Sequence, residues 1–242
     1  MFLAVDKPSW ITSFDVVAAC KRIFPKQKVW HSGTLDPMAD GLMIIAVGSD
    51  TKNLTKLIWL DKSYLATIDF SKDSDTWDME YWKEIINYKF WIIDWKGQWV
   101  HMEHWDVLAP EIENITKKLD GLIPESELPL PAFSAKKLNG KRFYTFAREG
   151  EIKEETRVMK VFDYKIISYE FPVLKLQVHV GSWTYIRSIA HWLGKQFWLG
   201  WILTQLRRTS IGTYKLPEHF DHEVVYFKKE KEYPIPYSEI SI

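Results

Sequence analysis

Hydrophobic positions along the chain predict a series of short strands. The apolar runs Met1–Val5 and Leu42–Val47 predict buried strands, and residues 64–70 alternate between apolar and polar as a half-buried strand does. Val173–Val180 alternates in the same way, and Trp201–Gly212 indicates strand or mixed structure.

Helical spacing appears between these strands. A first helix is predicted to begin at Thr12, because residues 12–15 have the pattern of a capping box, and to end at Pro25. The other predicted helices are Asp50–Leu57, Pro110–Leu119, Lys141–Glu149 and Ile186–Phe197.

Two segments show neither the alternation of a strand nor the spacing of a helix. The proline-rich stretch Pro124–Pro131 predicts a loop, and Asp69–Glu84, with six carboxylates and two lysines, predicts a solvated loop or edge. Strands and helices interleave irregularly and no repeat of about 20 to 50 residues is visible. We therefore expect one mixed α/β (α+β) domain with a large, mostly antiparallel sheet flanked by helices.

Composition excludes several classes of protein. The 242 residues are 46% hydrophobic and 26% charged, as in ordinary globular proteins. Equal counts of 32 basic and 32 acidic residues exclude a uniformly basic nucleic-acid binder, although not a local basic face. The single cysteine, Cys20, excludes a disulfide framework and a cysteine-based zinc site. With no signal peptide or membrane span in the sequence, a cytoplasmic protein without a membrane partner is expected.

Positive charge is concentrated in two segments. Between Val16 and Leu35 there are four cations and no carboxylate, and residues 134–148 carry five cations, among them Lys136 and Arg142. Aromatic residues near the second segment give it the mixture of cations and stackable rings that looped RNA requires. A solvated helix face fits the same composition equally well.

The segment from His31 to Gly41 is the strongest candidate for chemistry. Pro37 disfavours a helical conformation at Asp36, and Gly33 and Gly41 bracket a turn, so the carboxylate is presented on a stiff loop. A carboxylate held in this way can act as a nucleophile. A turn carboxylate with a purely structural role is the alternative.

Six short segments occur in an order and spacing that resemble those of the TruB-type tRNA pseudouridine synthases. They are Asp6–Ser9, His31–Pro37, Asp61–Tyr64, Pro131–Arg142, Thr184–Arg187 and Leu206–Arg208. The resemblance implies a pseudouridine-synthase fold with an RNA-binding cleft and conversion of uridine to pseudouridine in tRNA, usually at uridine-55 of the TΨC loop. It implies no metal or organic cofactor.

The same resemblance implies roles for individual residues. Asp36 matches the catalytic aspartate, Tyr64 the ring that stacks on the flipped base, and Arg187 the partner of the aspartate. The matched or predicted substrate-binding residues are Lys7, His31, Tyr185, Leu206, Lys136 and Arg142. The histidine pairs 101/104 and 219/222 lack a third ligand set, and we interpret neither as a metal site.

Tryptophan stands at five positions where the family motifs have glycine. These are Trp10, Trp30, Trp59, Trp183 and Trp198, in a chain with 13 tryptophans and only 11 glycines. We hypothesise that UGA codons meaning glycine were translated as tryptophan. Not every tryptophan need be affected, since Trp77, Trp82 and Trp192 fall where the family varies and tryptophan fits the pattern there.

The resemblance extends from residue 6 to about residue 214. We expect residues 1–214 to form the catalytic domain and 215–242 a short, loosely held tail, too short for a separate RNA-binding domain. A monomer suffices for this chemistry. The alternatives are a synthase acting on another RNA, including guide-dependent relatives, and a catalytically impaired RNA-binding or tRNA-folding module of the same fold.

Overall fold

A computed structural model describes residues 1–79, 82–84, 90–93, 99–102, 109–134, 136–138, 140–151 and 154–242. The helices are α1 Ser13–Ile23, the 3-10 helix η1 Gly48–Asn53, α2 Leu54–Ile58, α3 Ile112–Asp120, α4 Phe143–Arg148 and α5 Ile186–Gln196. The strands are β1 Phe2–Lys7, β2 Val29–His31, β3 Asp40–Val47, β4 Lys62–Asp69, β5 Lys72–Ser74, β6 Trp82–Glu84, β7 Phe90–Ile93, β8 Trp99–Met102, β9 Glu125–Pro129, β10 Lys137–Leu138, β11 Lys141–Arg142, β12 Thr156–Glu170, β13 Val173–Val180, β14 Ile202–Ile211, β15 Tyr214–Lys215, β16 His222–Lys228 and β17 Lys231–Ile240.

An eleven-stranded sheet forms the centre of the molecule. Its strands follow the order β16-β17-β1-β3-β14-β4-β13-β12-β9, with β2 paired to β3 and β15 to β14. Strand pairing in this sheet is antiparallel except between β3 and β14, which run parallel at Asp40–Gly41 and Arg207–Arg208. The predicted mixed fold with a large, mostly antiparallel sheet is confirmed.

Alternation along the strands puts one face of the sheet into the core. On β4, Tyr64, Ala66 and Ile68 are buried while Leu65 is exposed, as a half-buried strand requires. Helix α1 begins as predicted: the Thr12 side chain accepts from the Asp15 amide at 3.0 Å, and the Asp15 carboxylate accepts from the Thr12 amide at 2.8 Å.

Two sequence predictions are wrong in part. The predicted loop at Pro124–Pro131 contains strand β9, which pairs with β12. Because β9 is an edge strand and Pro129 is its last residue, the missing proline N–H costs the ladder little. The acidic segment is not uniformly solvated, since Asp69 and Asp78 are buried; Glu80 of that segment lies outside the described residues.

Two predicted helices also differ in their bounds. In the Lys141–Glu149 prediction, the first two residues belong to β11 and the helix α4 begins at Phe143. In the Asp50–Leu57 prediction, a 3-10 helix precedes the short α2.

The segment after Tyr214 is not loosely held. Strands β16 and β17 form a hairpin, and β17 pairs with β1 from Phe2↔Ile240 to Val5↔Tyr237, so the sheet continues into it. Lys228 forms an ion pair with Asp15 at 3.0 Å, which ties the hairpin to the start of α1. In the described part of the chain, no helix is long and apolar enough to cross a membrane.

Gly41 is required where β3 meets β14. Its φ is +100°, and a Cβ added there would lie 2.3 Å from the Arg208 carbonyl oxygen. Gly140 also has a positive φ, +84°, but a Cβ there meets nothing within 4 Å. We expect Gly41→Ala to lower the free energy of unfolding by at least about 3 kcal/mol, and the control Gly140→Ala by about 1 kcal/mol. Urea unfolding measures both, and equal losses would contradict this account.

Candidate functional site

The loop of residues 32–39 between β2 and β3 is fastened from several sides. The Ser13 hydroxyl donates to the Leu35 carbonyl at 3.0 Å and accepts from the Leu35 amide at 2.8 Å, in a buried reciprocal pair. The Ser32 amide donates to the Ile44 carbonyl at 2.9 Å. Proline at position 37 further limits the backbone, so the loop is stiff, as the sequence predicts.

Arg208 supports the loop from the sheet. Its guanidinium is buried and donates to the carbonyls of Leu42 at 2.7 Å, Gly33 at 3.2 Å and Thr34 at 3.5 Å. Arg208 is in register with Tyr64 on the neighbouring strand β4. Arg208 therefore links the loop to strand β14 of the sheet.

Lys7 lies beneath the same loop and not on an open surface. Its side chain is 0% exposed, and its ammonium donates to the carbonyls of Ala39 at 2.5 Å, Pro8 at 2.9 Å and Pro37 at 3.3 Å. Burial lowers the Lys7 pKa to about 8, against the opposing effect of Asp40 and Asp36. In this structure the Lys7 ammonium therefore holds the loop, and the predicted RNA contact by Lys7 remains a prediction.

Asp36, within this loop, is held by a two-point contact with Arg187. Arg187 Nε donates to Asp36 Oδ2 at 2.9 Å, and Nη2 donates to Oδ1 at 3.1 Å. The Asp36 side chain is 32% exposed, whereas that of Arg187 is 4% exposed. A buried fork thus orients a carboxylate that remains open to a ligand.

The rest of the Arg187 guanidinium is also paired. Nη1 donates to the Thr76 carbonyl at 2.7 Å and lies 3.6 Å from Asp78 Oδ2, and Nη2 donates to the Phe133 carbonyl at 3.2 Å. Burial by itself would lower the Arg187 pKa, but the carboxylates of Asp36 and Asp78 outweigh it and raise that pKa. Arg187 is therefore a fixed cation.

Asp78 is the partner of Arg187 that the sequence analysis does not identify. It is 2% exposed, and one of its carboxylate oxygens, Oδ1, accepts from the Thr76 hydroxyl at 2.8 Å. Its amide donates to the Ser74 hydroxyl at 3.1 Å, so a short polar turn holds it in place. In the sequence it is one acidic residue among six, with nothing to distinguish it from a solvated carboxylate.

Tyr64 and Leu206 lie on the neighbouring strands β4 and β14. Both are buried side chains of the same core cluster, and Leu206 is in register with Ala66, two residues from Tyr64. Ring and leucine are therefore brought to the same face of two neighbouring strands. Their predicted contacts with RNA remain a prediction.

His31 and Tyr185 are half-buried residues that directly precede the segments carrying Asp36 and Arg187. His31 ends β2, and its ring stacks on Trp30 with centroids 5.4 Å apart. Burial, and then the charge of Arg208, lower the His31 pKa, so the neutral ring is favoured. Tyr185 is the N-cap residue of α5, two positions before Arg187.

Lys136 and Arg142 belong to the second basic segment. This segment follows Phe133, whose carbonyl contacts Arg187. Lys136 is paired with Glu155, while Arg142 is exposed and lies 5.7 Å from the Tyr144 ring centroid. Ala135 and Asn139 of this segment lie outside the described residues.

Metal ligands do not cluster in the described part of the chain, where no group of three or more His, Cys, Asp or Glu side chains could hold an ion. His104 lies outside the described residues.

Comparison with known proteins gives a consistent result. Residues 21–186 match the family model described as TruB family pseudouridylate synthase, N-terminal domain. The chain is similar to tRNA pseudouridine synthase B of Chlorobaculum tepidum, 36% identical over 93% of this chain and 88% of that protein, and to the enzyme of the same name from Geobacter sulfurreducens, 35% identical over 89% of this chain.

The fold resembles that of a crystal structure of a Cbf5-Nop10-Gar1 complex, with a TM-score of 0.62 and 25% identity over 89% of this chain. The chain spans 65% of the length of the Geobacter relative and 50% of that structure's matched chain.

Removing the Asp78 charge is expected to destabilise the protein, because a buried guanidinium loses one of its two carboxylates. We predict that Asp78→Asn lowers the free energy of unfolding by about 1–3 kcal/mol. Asp75→Asn, at an exposed position of the same turn, is the control and should change it by less than about 0.5 kcal/mol. Urea denaturation compares the two, and an equally small effect would rule out a structural ion pair.

Lys7 predicts a pH dependence with a definite sign. Its pKa is about 8 in the folded protein and 10.5 for a lysine in water. Between these pH values the unfolded chain binds more protons, so the free energy of unfolding rises with pH. We expect Lys7→Met to remove up to about 3 kcal/mol of this rise. Lys21→Met, at an exposed position, is the control, and unfolding curves at pH 7.5 to 10.5 test both. An unchanged slope in Lys7→Met would contradict the burial of a charge there.

Proposed function

We infer, because the chain belongs to the TruB family of pseudouridylate synthases, that it converts uridine to pseudouridine in tRNA. The observation that carries this inference is the two-point Asp36–Arg187 contact at the open edge of a stiff loop. Curated relatives named tRNA pseudouridine synthase B support tRNA as the substrate.

The reaction needs no co-reactant, since substrate and product are isomers. The bond between uracil N1 and ribose C1′ breaks, the base turns, and a bond forms between C5 and C1′. The C5 proton leaves to solvent and N1 takes up a proton from solvent, so the atoms balance. A nucleophile that attacks the ribose or the base assists this exchange. Asp36 is the group we assign to that attack, and Arg187 orients it, because a guanidinium fork fixes both carboxylate oxygens.

Access to the glycosidic bond requires the uridine to leave its stack. We propose that the flipped base stacks on Tyr64 and contacts Leu206, which share one face of β4 and β14. His31 and Tyr185 would contact the RNA at the rim. Unstacking is costly, and such apolar and aromatic surfaces replace part of the lost stacking.

The second basic segment supplies a surface for the rest of the RNA. Arg142 is exposed, and Tyr144 lies between Arg142 and Arg148, with guanidinium-to-ring distances of 5.7 and 5.3 Å. Cations next to a ring suit phosphate and base contacts in a looped RNA. We propose the TΨC stem-loop as that RNA, with uridine-55 as target, bound by a monomer in the cytoplasm.

A guide-dependent synthase is the second candidate. The fold likeness to the Cbf5-Nop10-Gar1 structure favours it, because that structure is a complex with further proteins. The two candidates differ in what they need, since a tRNA-specific enzyme acts on a free transcript. Activity without guide RNA or partner protein separates them.

The test is release of C5 tritium from a labelled tRNA transcript by the purified full chain. The chain as printed and a version with glycine at Trp10, Trp30, Trp59, Trp183 and Trp198 are assayed in parallel. We expect release in the absence of guide RNA, and a loss of at least about 1,000-fold in Asp36→Asn with RNA binding retained. Asp75→Asn is the control and should keep full activity.

A transcript with cytidine at position 55 tests the target. It should release no tritium if uridine-55 is the only site. If both versions of the chain bind the tRNA transcript and neither releases tritium, the proposal is contradicted and an RNA-binding module is favoured.

A further inference from the structure

Four tryptophans occupy the left-handed region of the backbone. The φ angles are 72° at Trp10, 62° at Trp77, 68° at Trp183 and 59° at Trp198. In the described part of the chain, seven residues other than glycine have a positive φ, and these four are the only aromatic ones among them. A bulky side chain in this region is a steric outlier, whereas glycine adopts it freely.

The hydrogen bonds around Trp198 define a glycine position independently of φ. The Trp198 amide donates to the Lys195 carbonyl at 3.4 Å, and the Leu199 amide donates to the Gly194 carbonyl at 3.0 Å. These two bonds form the Schellman motif that ends α5, with Trp198 at C′, the position that glycine usually takes. Trp183 is the third residue of a turn closed by Thr184 N to Gly181 O at 3.3 Å, where a positive φ also favours glycine.

Burial does not compensate for the strained backbone at three of these positions. Trp198 is 89% exposed, Trp183 51% and Trp10 49%. Trp192 is different: it lies within helix α5, is partly buried and packs against the core. Its environment is that of an ordinary tryptophan.

We propose that positions 10, 77, 183 and 198 are encoded by UGA codons that the source cell reads as glycine, so that the working protein carries glycine at all four. The excess of 13 tryptophans over 11 glycines agrees with this. Trp77 joins the set on its φ angle, although the family varies at that position. Trp30 lies in strand β2 and Trp59 has a φ of −84°, so the backbone does not require glycine there.

Three of the four positions adjoin the Arg187 site. Trp77 stands between Thr76 and Asp78, which both contact Arg187. The Trp10 amide donates to the Pro37 carbonyl of the Asp36 loop at 2.6 Å. The turn at Trp183 leads into α5, which carries Arg187. Glycine at these points would let the backbone hold the site without strain.

Codon sequencing and peptide mass spectrometry of the protein made by its own host test the proposal without any activity assay. We expect UGA and a glycine residue mass at all four positions, and UGG with a tryptophan mass at the control, Trp192. UGG codons at the four positions, or tryptophan masses in the native peptides, would overturn it. These readouts do not depend on the proposed enzymatic function.

Thermal unfolding of full-length chains gives a second test. A version with glycine at positions 10, 77, 183 and 198 should melt about 5 °C or more above the chain as printed, because the left-handed strain is relieved. Trp192→Gly is the matched control and should melt lower, since it loses core packing and places glycine inside a helix. A four-glycine version that melts below the printed chain would overturn the proposal.

Discussion

The pairing of one buried guanidinium determines how the site is built. Arg187 is removed from water, and a cation in that position destabilises a fold unless it is fully paired. Its partners come from three separate parts of the chain: Asp36, the Thr76–Asp78 turn, and Phe133. Since α5 carries the arginine, meeting this single requirement brings four distant segments together and fixes the direction in which Asp36 points.

A second set of buried cations makes the Asp36 loop a rigid support. The Arg208 guanidinium binds the carbonyls of Gly33, at the start of the loop, and of Leu42, just after it. The Lys7 ammonium binds the carbonyls of Pro37 and Ala39 at the end of the loop. The hydrogen-bond partners of these two cations are backbone carbonyls and not the Asp36 carboxylate. That carboxylate can therefore pair with Arg187 and face solvent. Lys7 and Arg208 thus hold the loop from within the protein, whereas the Arg142 side chain is exposed.

Short-range sequence patterns predict the features of this fold that depend only on neighbouring residues. The capping box at Thr12 and the alternating strand at residues 64–70 follow from residue order alone, and both are present. Burial of Asp78 and Lys7 could not be predicted in this way, because it depends on cations and carbonyls that are distant in the sequence. Strand β9 was missed for the same reason, since its edge position is what tolerates proline. The family resemblance pointed to Asp36 and Arg187 but not to what holds them.

A double-mutant cycle between Asp78 and Arg187 tests most directly whether the pairing of Arg187 determines the site. Single-turnover tritium release is measured for Asp78→Asn, Arg187→Lys and the double variant, with tRNA binding measured alongside. If Asp78 acts only by holding Arg187 against Asp36, the Asp78→Asn loss should largely disappear in the Arg187→Lys background. Losses that add in the double variant would contradict it, because Asp78 would then act without Arg187.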